Sequence, residues 1–116
     1  MVVDPNNNHP SFSNLLQQGF MDKLRMPAAF VKEHKKMLAK TCLVKTDEGL
    51  SWEVKLVKET SHYFICEEGW SRFVMHHKLE LGDMLIFFLV EKSTFYVLPY
   101  SKKSVTNVRH FEELQF

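Results

Sequence analysis

The chain has 116 residues, 45% of them hydrophobic and 25% charged, with a net charge of +1. That length suits one domain with a real core and is too short for two. The near-neutral balance excludes a strongly basic nucleic-acid binder. No apolar run reaches membrane length and no secretory segment is visible, so a soluble, intracellular protein without a membrane partner is expected.

In chain order, residues 1–10 are polar and carry three consecutive asparagines, and they read as a disordered leader. Residues 12–16 form a short apolar strand, and residues 17–25 form a loop around Gly19. Pro27 opens a helix predicted over 27–38, because proline presets φ in the first turn. Phe30, Val31, His34, Met37 and Leu38 recur there at helical spacing, with lysines on the other face. Residues 41–45 form a strand, and 46–49 supply turn chemistry. Trp52, Val54 and Leu56 then alternate with charged residues in the clearest half-buried strand.

Residues 58–62 are polar and read as a loop tip, followed by a strand at 63–66 and a turn through Gly69. Ser71 is the expected N-cap of a second helix running to Lys78. Residues 84–90 are almost wholly apolar, as in a central strand, and 95–100 form the last strand. From 102 the chain is a polar tail ending in the apolar residues 111–116. About seven short strands with two short helices predict a mainly β protein, a sandwich or barrel. The ten phenylalanines fit that reading, since aromatics suit pleated, half-buried surfaces. Trp52, Val54, Leu56, Trp70, Phe73, Leu85, Phe87 and Val97 are the predicted core.

Charge is unevenly placed. Between Ser11 and Lys40, six basic residues face Asp22 and Glu33, a local net of +4. The remainder is therefore net acidic. Cys42 and Cys66 sit in apolar runs without metal-ligand spacing, and reduced, buried thiols are expected. The six histidines form no HExxH motif, so no metal is expected, and no cofactor motif is present. Neither a GxSxG elbow nor a P-loop occurs, so neither catalysis nor a small-molecule substrate is expected.

Several ordered segments nevertheless carry a resemblance. They are Leu24-Arg25-Met26-Pro27 with Phe30-Val31, Gly49-Leu50-Ser51-Trp52-Glu53-Val54 and Gly69-Trp70-Ser71-Arg72-Phe73-Val74. Leu79-Glu80-Leu81-Gly82-Asp83 and Phe95-Tyr96-Val97 follow. In order and spacing this resembles the plant B3 DNA-binding domain, especially its reproductive-meristem branch. The resemblance implies a seven-stranded open β-barrel, a DNA-binding pseudobarrel, over residues 11–101, flanked by the leader and a tail at 102–116. It also implies a nuclear transcription factor that grips double-stranded DNA in the major groove with two loop arms.

Those arms fall at residues 17–25 and 58–62. The residues expected to meet DNA are Gln17, Gln18, Lys23 and Arg25 in the first arm, Lys58, Thr60, Ser61 and His62 in the second, and Arg72. Arginine and lysine can donate to guanine, and glutamine can pair with the adenine edge. Phe20 and Ala28 stand where many B3 domains carry basic residues. Asp22, Glu59, Glu67 and Glu68 add negative charge near the arms, so weak sequence preference is expected. The lysines of the first helix read as its wet face. The alternative is a B3-fold protein-interaction module with little DNA affinity, which the near-neutral charge favours.

Overall fold

The computed structural model describes residues 8–103. Residues 1–7 of the expected leader and residues 104–116 of the expected tail lie outside the described residues. Seven strands make one mixed sheet: β1 (Ser11–Leu15), β2 (Lys23–Arg25), β3 (Thr41–Lys45), β4 (Ser51–Glu59), β5 (His62–Cys66), β6 (Met84–Glu91) and β7 (Thr94–Tyr100). Among the described residues two helices accompany them, α1 (Ala28–His34) and α2 (Glu67–His76), with a 3-10 turn at Lys35–Met37 after α1.

The sheet order is β1-β6-β7-β3-β4-β5-β2, so β1 and β2 are its two edges. All neighbours pair antiparallel except β3 and β7, which run parallel with Val44 opposite Phe95. The sheet curls into a half-barrel. Its two edges face each other across a seam, where Asn14 Nδ2 on β1 donates to the Arg25 carbonyl on β2 over 2.8 Å. That single bond stands where a closed barrel would have a ladder.

Alternation decides which side chains enter the barrel. Cys42 and Val44 point in from β3, Val54 and Leu56 from β4, and Leu85, Phe87 and Leu89 from β6. The phenylalanines meet at the centre: Phe12 stacks on Phe87 at 4.7 Å, and Phe30 and Phe95 meet Phe12 edge-on and each other at a tilt. Such pairs add roughly 0.5–1.5 kcal/mol each beyond their buried area. Trp70 and Phe73 extend the cluster from α2, stacked at 5.4 Å. Trp52 departs from the predicted core. It is only partly buried: it shares the inward face with Val54, opposite Val44, but at the start of β4 it packs edge-on against Phe73 at the rim of the core.

Several boundaries also differ from the sequence reading. β1 begins at Ser11, and β2 occupies the last three residues of the expected first loop. The first helix is shorter, with Pro27 extended at its N-cap and the 3-10 turn finishing it. The second starts at Glu67, capped by Cys66, not at Ser71. Gly69 misled the reading: it is not a turn glycine but a close-approach glycine within α2. A Cβ there would stand 1.7 Å from the Glu53 carbonyl oxygen of β4. Its absence lets the helix lie directly on the strand backbone.

Candidate nucleic-acid interface

The first arm shrinks to a compact turn once β2 is recognised. Phe20 N donates to the Gln17 carbonyl, and Asp22 N and Lys23 N both donate to that of Gly19. Gly19 has φ +90, which only glycine adopts without strain. Phe20, expected as a lost basic contact, is instead a buried anchor at 7% exposure. Its carbonyl accepts the indole Nε1–H of Trp70 at 2.7 Å, and the Met21 carbonyl accepts from Ser71 Oγ at 3.5 Å. The helix thus fixes the arm from behind.

The second arm shrinks too. β4 and β5 run on to Glu59 and His62, so only Thr60 and Ser61 form the turn. Thr60 sits at φ 59, a left-handed conformation that β-branched residues rarely take. The hairpin therefore projects as a tight two-stranded ribbon.

Pairing across β2, β5 and β4 sorts the charged side chains onto two faces. Lys23 stands opposite Cys66 and Arg25 opposite Phe64, both on the outer face, while Leu24 enters the core. Lys23 Nζ lies 4.5 Å from the Phe64 ring centroid and 2.5 Å from Glu59 Oε1. One of the expected DNA contacts is therefore already paired within the protein. Lys58 falls on the opposite face of the hairpin, with Nζ 5.9 Å from the Tyr63 ring, beside α1.

Three shallow grooves join these pieces into one trough. The first lies between the arm and β2, lined by Gln17, Gln18, Lys23, Arg25 and Phe64. The second follows the seam, where Ser13, Asn14, Arg25, Met26 and Ala28 line it. The third runs between α1 and the hairpin, lined by Met26, Ala28, Lys32, Lys35, Lys58, Ser61 and His62. The first two share walls at Asn14 and Arg25, and the last two at Met26 and Ala28, so the three adjoin. Five cationic side chains line the trough and, among the described residues, no carboxylate does.

The trough unites Gln17, Gln18, Lys23, Arg25, Lys58, Ser61 and His62. Thr60 caps the adjoining turn without lining it. Arg72 does not join them: it lies on α2, 70% exposed, with Nη2 3.3 Å from Glu68 Oε2. Sequence reading missed Asn14, Ser13, Lys32 and Lys35. The lysines were legible only as the outer face of a helix, and nothing in the sequence says that this face borders the hairpin. The thiols are free and hold their protons: burial pushes both up, and for Cys66 the neighbouring Glu67 and Glu59 add to it. Neither is poised as a nucleophile.

A seven-stranded half-barrel with two helices and grooves along its open seam defines a pseudobarrel-class domain. Comparison with known proteins is specific. Residues 13–103 match the B3 DNA binding domain family, and the chain belongs to that family. Relatives bearing the REM name place it in the plant reproductive-meristem branch. Among them, B3 domain-containing protein REM9 of Arabidopsis thaliana is 35% identical over 88 residues, covering 73% of this chain and 18% of REM9. The chain thus spans about a fifth to just over a quarter of the length of these curated relatives.

Among solved structures, the hypothetical Arabidopsis thaliana protein At1g16640.1 superposes with a TM-score of 0.68. It is 27% identical, and the match covers 78% of this chain and 89% of that one. Arabidopsis FUS3, solved as a DNA complex, superposes at 0.58 with 16% identity, covering 78% and 95%, and shares the fold.

Proposed function

We propose that this domain binds double-stranded DNA as part of a nuclear plant transcription regulator, without catalysis, and seats the duplex along the trough. One observation carries the reading: five cations line adjoining grooves whose walls, among the described residues, hold no carboxylate, Glu59 meeting only Lys23 from beside them, on a chain whose net charge is only +1. Sorting charge in this way produces a local field strong enough to hold phosphates while the whole protein stays near neutral.

The parts suit that role. The hairpin ending at Thr60 and Ser61 has the width of a two-stranded ribbon, which the major groove of about 12 Å admits. Arg25, Gln17 and Gln18 stand beside one another at the first arm, where a guanidinium can meet guanine and a carboxamide can meet adenine. Lys32, Lys35 and Lys58 flank the hairpin and reach phosphates. Lys23 is held by Glu59, which reduces the cations available to about four and supports weak sequence preference. Membership of the B3 family and the shared fold with DNA-bound FUS3 support the same reading.

A second reading rests on one feature, an apolar groove between α1 and β4–β5 lined by Val31, Leu38, Leu56 and Tyr63. On that reading the barrel serves protein interaction and DNA affinity is negligible. A fluorescence-anisotropy titration with random duplexes across a salt series separates the two. The DNA reading predicts log K falling with log salt at a slope of about −3 to −4. No measurable binding at 50 mM salt would leave the interaction reading in its place.

A further inference from the structure

Away from the trough, the turn between β3 and β4 brings Glu48 against the end of α2. Glu48 Oε1 lies 3.2 Å from His76 Nε2 and 3.5 Å from His77 Nε2, and the three ligand atoms all fall within 4.8 Å of one another. Zinc binds imidazole nitrogen and carboxylate oxygen at about 2.0–2.2 Å, which sets neighbouring ligand atoms about 3.3 Å apart on a tetrahedron. The two Glu48 distances match two edges of such a figure.

The protonation pattern points the same way. His77 Nδ1 is 3.0 Å from the Phe73 carbonyl, which can only accept, so Nδ1 carries the proton. In the neutral ring Nε2 is then a bare lone pair. It is buried without a hydrogen-bond partner and faces a carboxylate oxygen, two electron-rich atoms turned toward each other. A cation shared between them, a metal ion or a proton on the ring, satisfies both atoms. A backbone carbonyl orienting the far nitrogen is also the usual support of a metal-ligating histidine.

The cluster is held in place from several sides. Asp47, beside Glu48, accepts the Tyr96 hydroxyl, and Gly49 N closes the turn onto the Thr46 carbonyl. The Trp52 ring packs 5.2 Å from both imidazoles. We infer that Glu48, His76 and His77 form a binding site for a divalent transition-metal ion of the zinc class, stapling the β3–β4 turn to the end of α2. Two imidazoles and one carboxylate suit zinc's borderline softness and leave a fourth position for water or another ligand. No sequence motif announces it, because the ligands come from segments 28 residues apart.

The test uses the full chain, stripped with EDTA and titrated with zinc chloride at pH 7.5 by calorimetry and thermal melting. Expected are one zinc per chain and a melting temperature raised by about 5 °C or more at saturation. Glu48→Ala and His76→Ala, both at exposed positions that leave the core intact, should each weaken zinc at least about tenfold. His9→Ala should leave zinc affinity unchanged. Absence of a saturable site, or equal affinity in the parent and both cluster variants, overturns the site. So does stabilisation that appears on lowering pH to 5.5 but not with zinc, which would make the cluster an ordinary imidazolium–carboxylate pair.

Discussion

The indole Nε1–H of Trp70, wholly buried on α2, donates to the carbonyl of Phe20 in the first arm over 2.7 Å. Fifty residues apart in sequence, the two tie the part of the trough that carries Gln17 and Gln18 to the centre of the core. The arm is thereby preorganised, which limits the ordering cost paid on binding.

Two substitutions separate the roles of Trp70. Trp70→Ala should cost about 3–5 kcal/mol through the cavity alone, enough to unfold a marginal domain. Trp70→Phe keeps an aromatic against Phe73 but leaves the Phe20 carbonyl unpaired, a loss of about 1–3 kcal/mol. In urea melts the phenylalanine variant should remain folded. Hydrogen exchange should then rise at the amides of Asp22 and Lys23, which close the arm on Gly19. Unchanged exchange there would mean that the arm is held by its own turn.

Glu59 restrains Lys23, and both side chains are about half exposed. Such a pair contributes little to folding, so Glu59→Gln should change stability by less than about 0.5 kcal/mol. Its effect on DNA should be larger. One additional phosphate contact steepens the salt slope by about 0.9, equivalent to roughly eightfold tighter binding at 0.1 M salt. Anisotropy titrations of parent and variant give both numbers. A slope unchanged by the substitution would place Lys23 out of phosphate reach.

The Tyr96 hydroxyl is pushed up to about 12, first by burial and then by its bond to Asp47, whose negative charge opposes ionisation. With the folded value above the unfolded one near 10, its contribution is complete below pH 10 and is lost as pH rises through 12. Melting temperature measured from pH 9 to 12 should fall across that window. In Tyr96→Phe the fall should be smaller, because no phenol remains to ionise. Parallel pH profiles for the two proteins would assign the loss to other groups.

Much of the fold was legible because alternation and turn chemistry are local. Val54 and Leu56 read correctly as inward positions of β4, and every strand but β2 has its place in the sequence reading. What failed was set by contacts distant in sequence. Lys23–Arg25 has too few residues to show alternation, and it is a strand only because β5 offers it a partner edge. Along the chain Gly69 reads as a turn glycine, because its close approach to Glu53 exists only through the packing of α2 on β4. The site was half legible. Gln17, Gln18, Lys23, Arg25, Lys58, Ser61 and His62 do gather, but the structure adds Lys32 and Lys35, leaves Arg72 on α2, and pairs Lys23 with Glu59. The basic segment 11–40 holds Lys23, Arg25, Lys32 and Lys35, but which of its cations face the grooves is set by the curvature of the sheet and leaves no pattern along the chain.

The central claim is that the trough, and not the basic surface at large, holds DNA. The direct measurement compares two triple variants of equal charge by anisotropy across 50–200 mM salt, a range over which phosphate contacts dominate affinity. One replaces Arg25, Lys32 and Lys58, which line the trough, with alanine; the other replaces Lys36, Lys45 and Lys92, which do not. The trough variant should lose more than about a hundredfold in affinity at 0.1 M salt and flatten the slope by about 2.7, since each lost contact removes about 0.9. The other should stay within about threefold of the parent, as expected for long-range screened charge. Equal losses from the two variants would contradict the account.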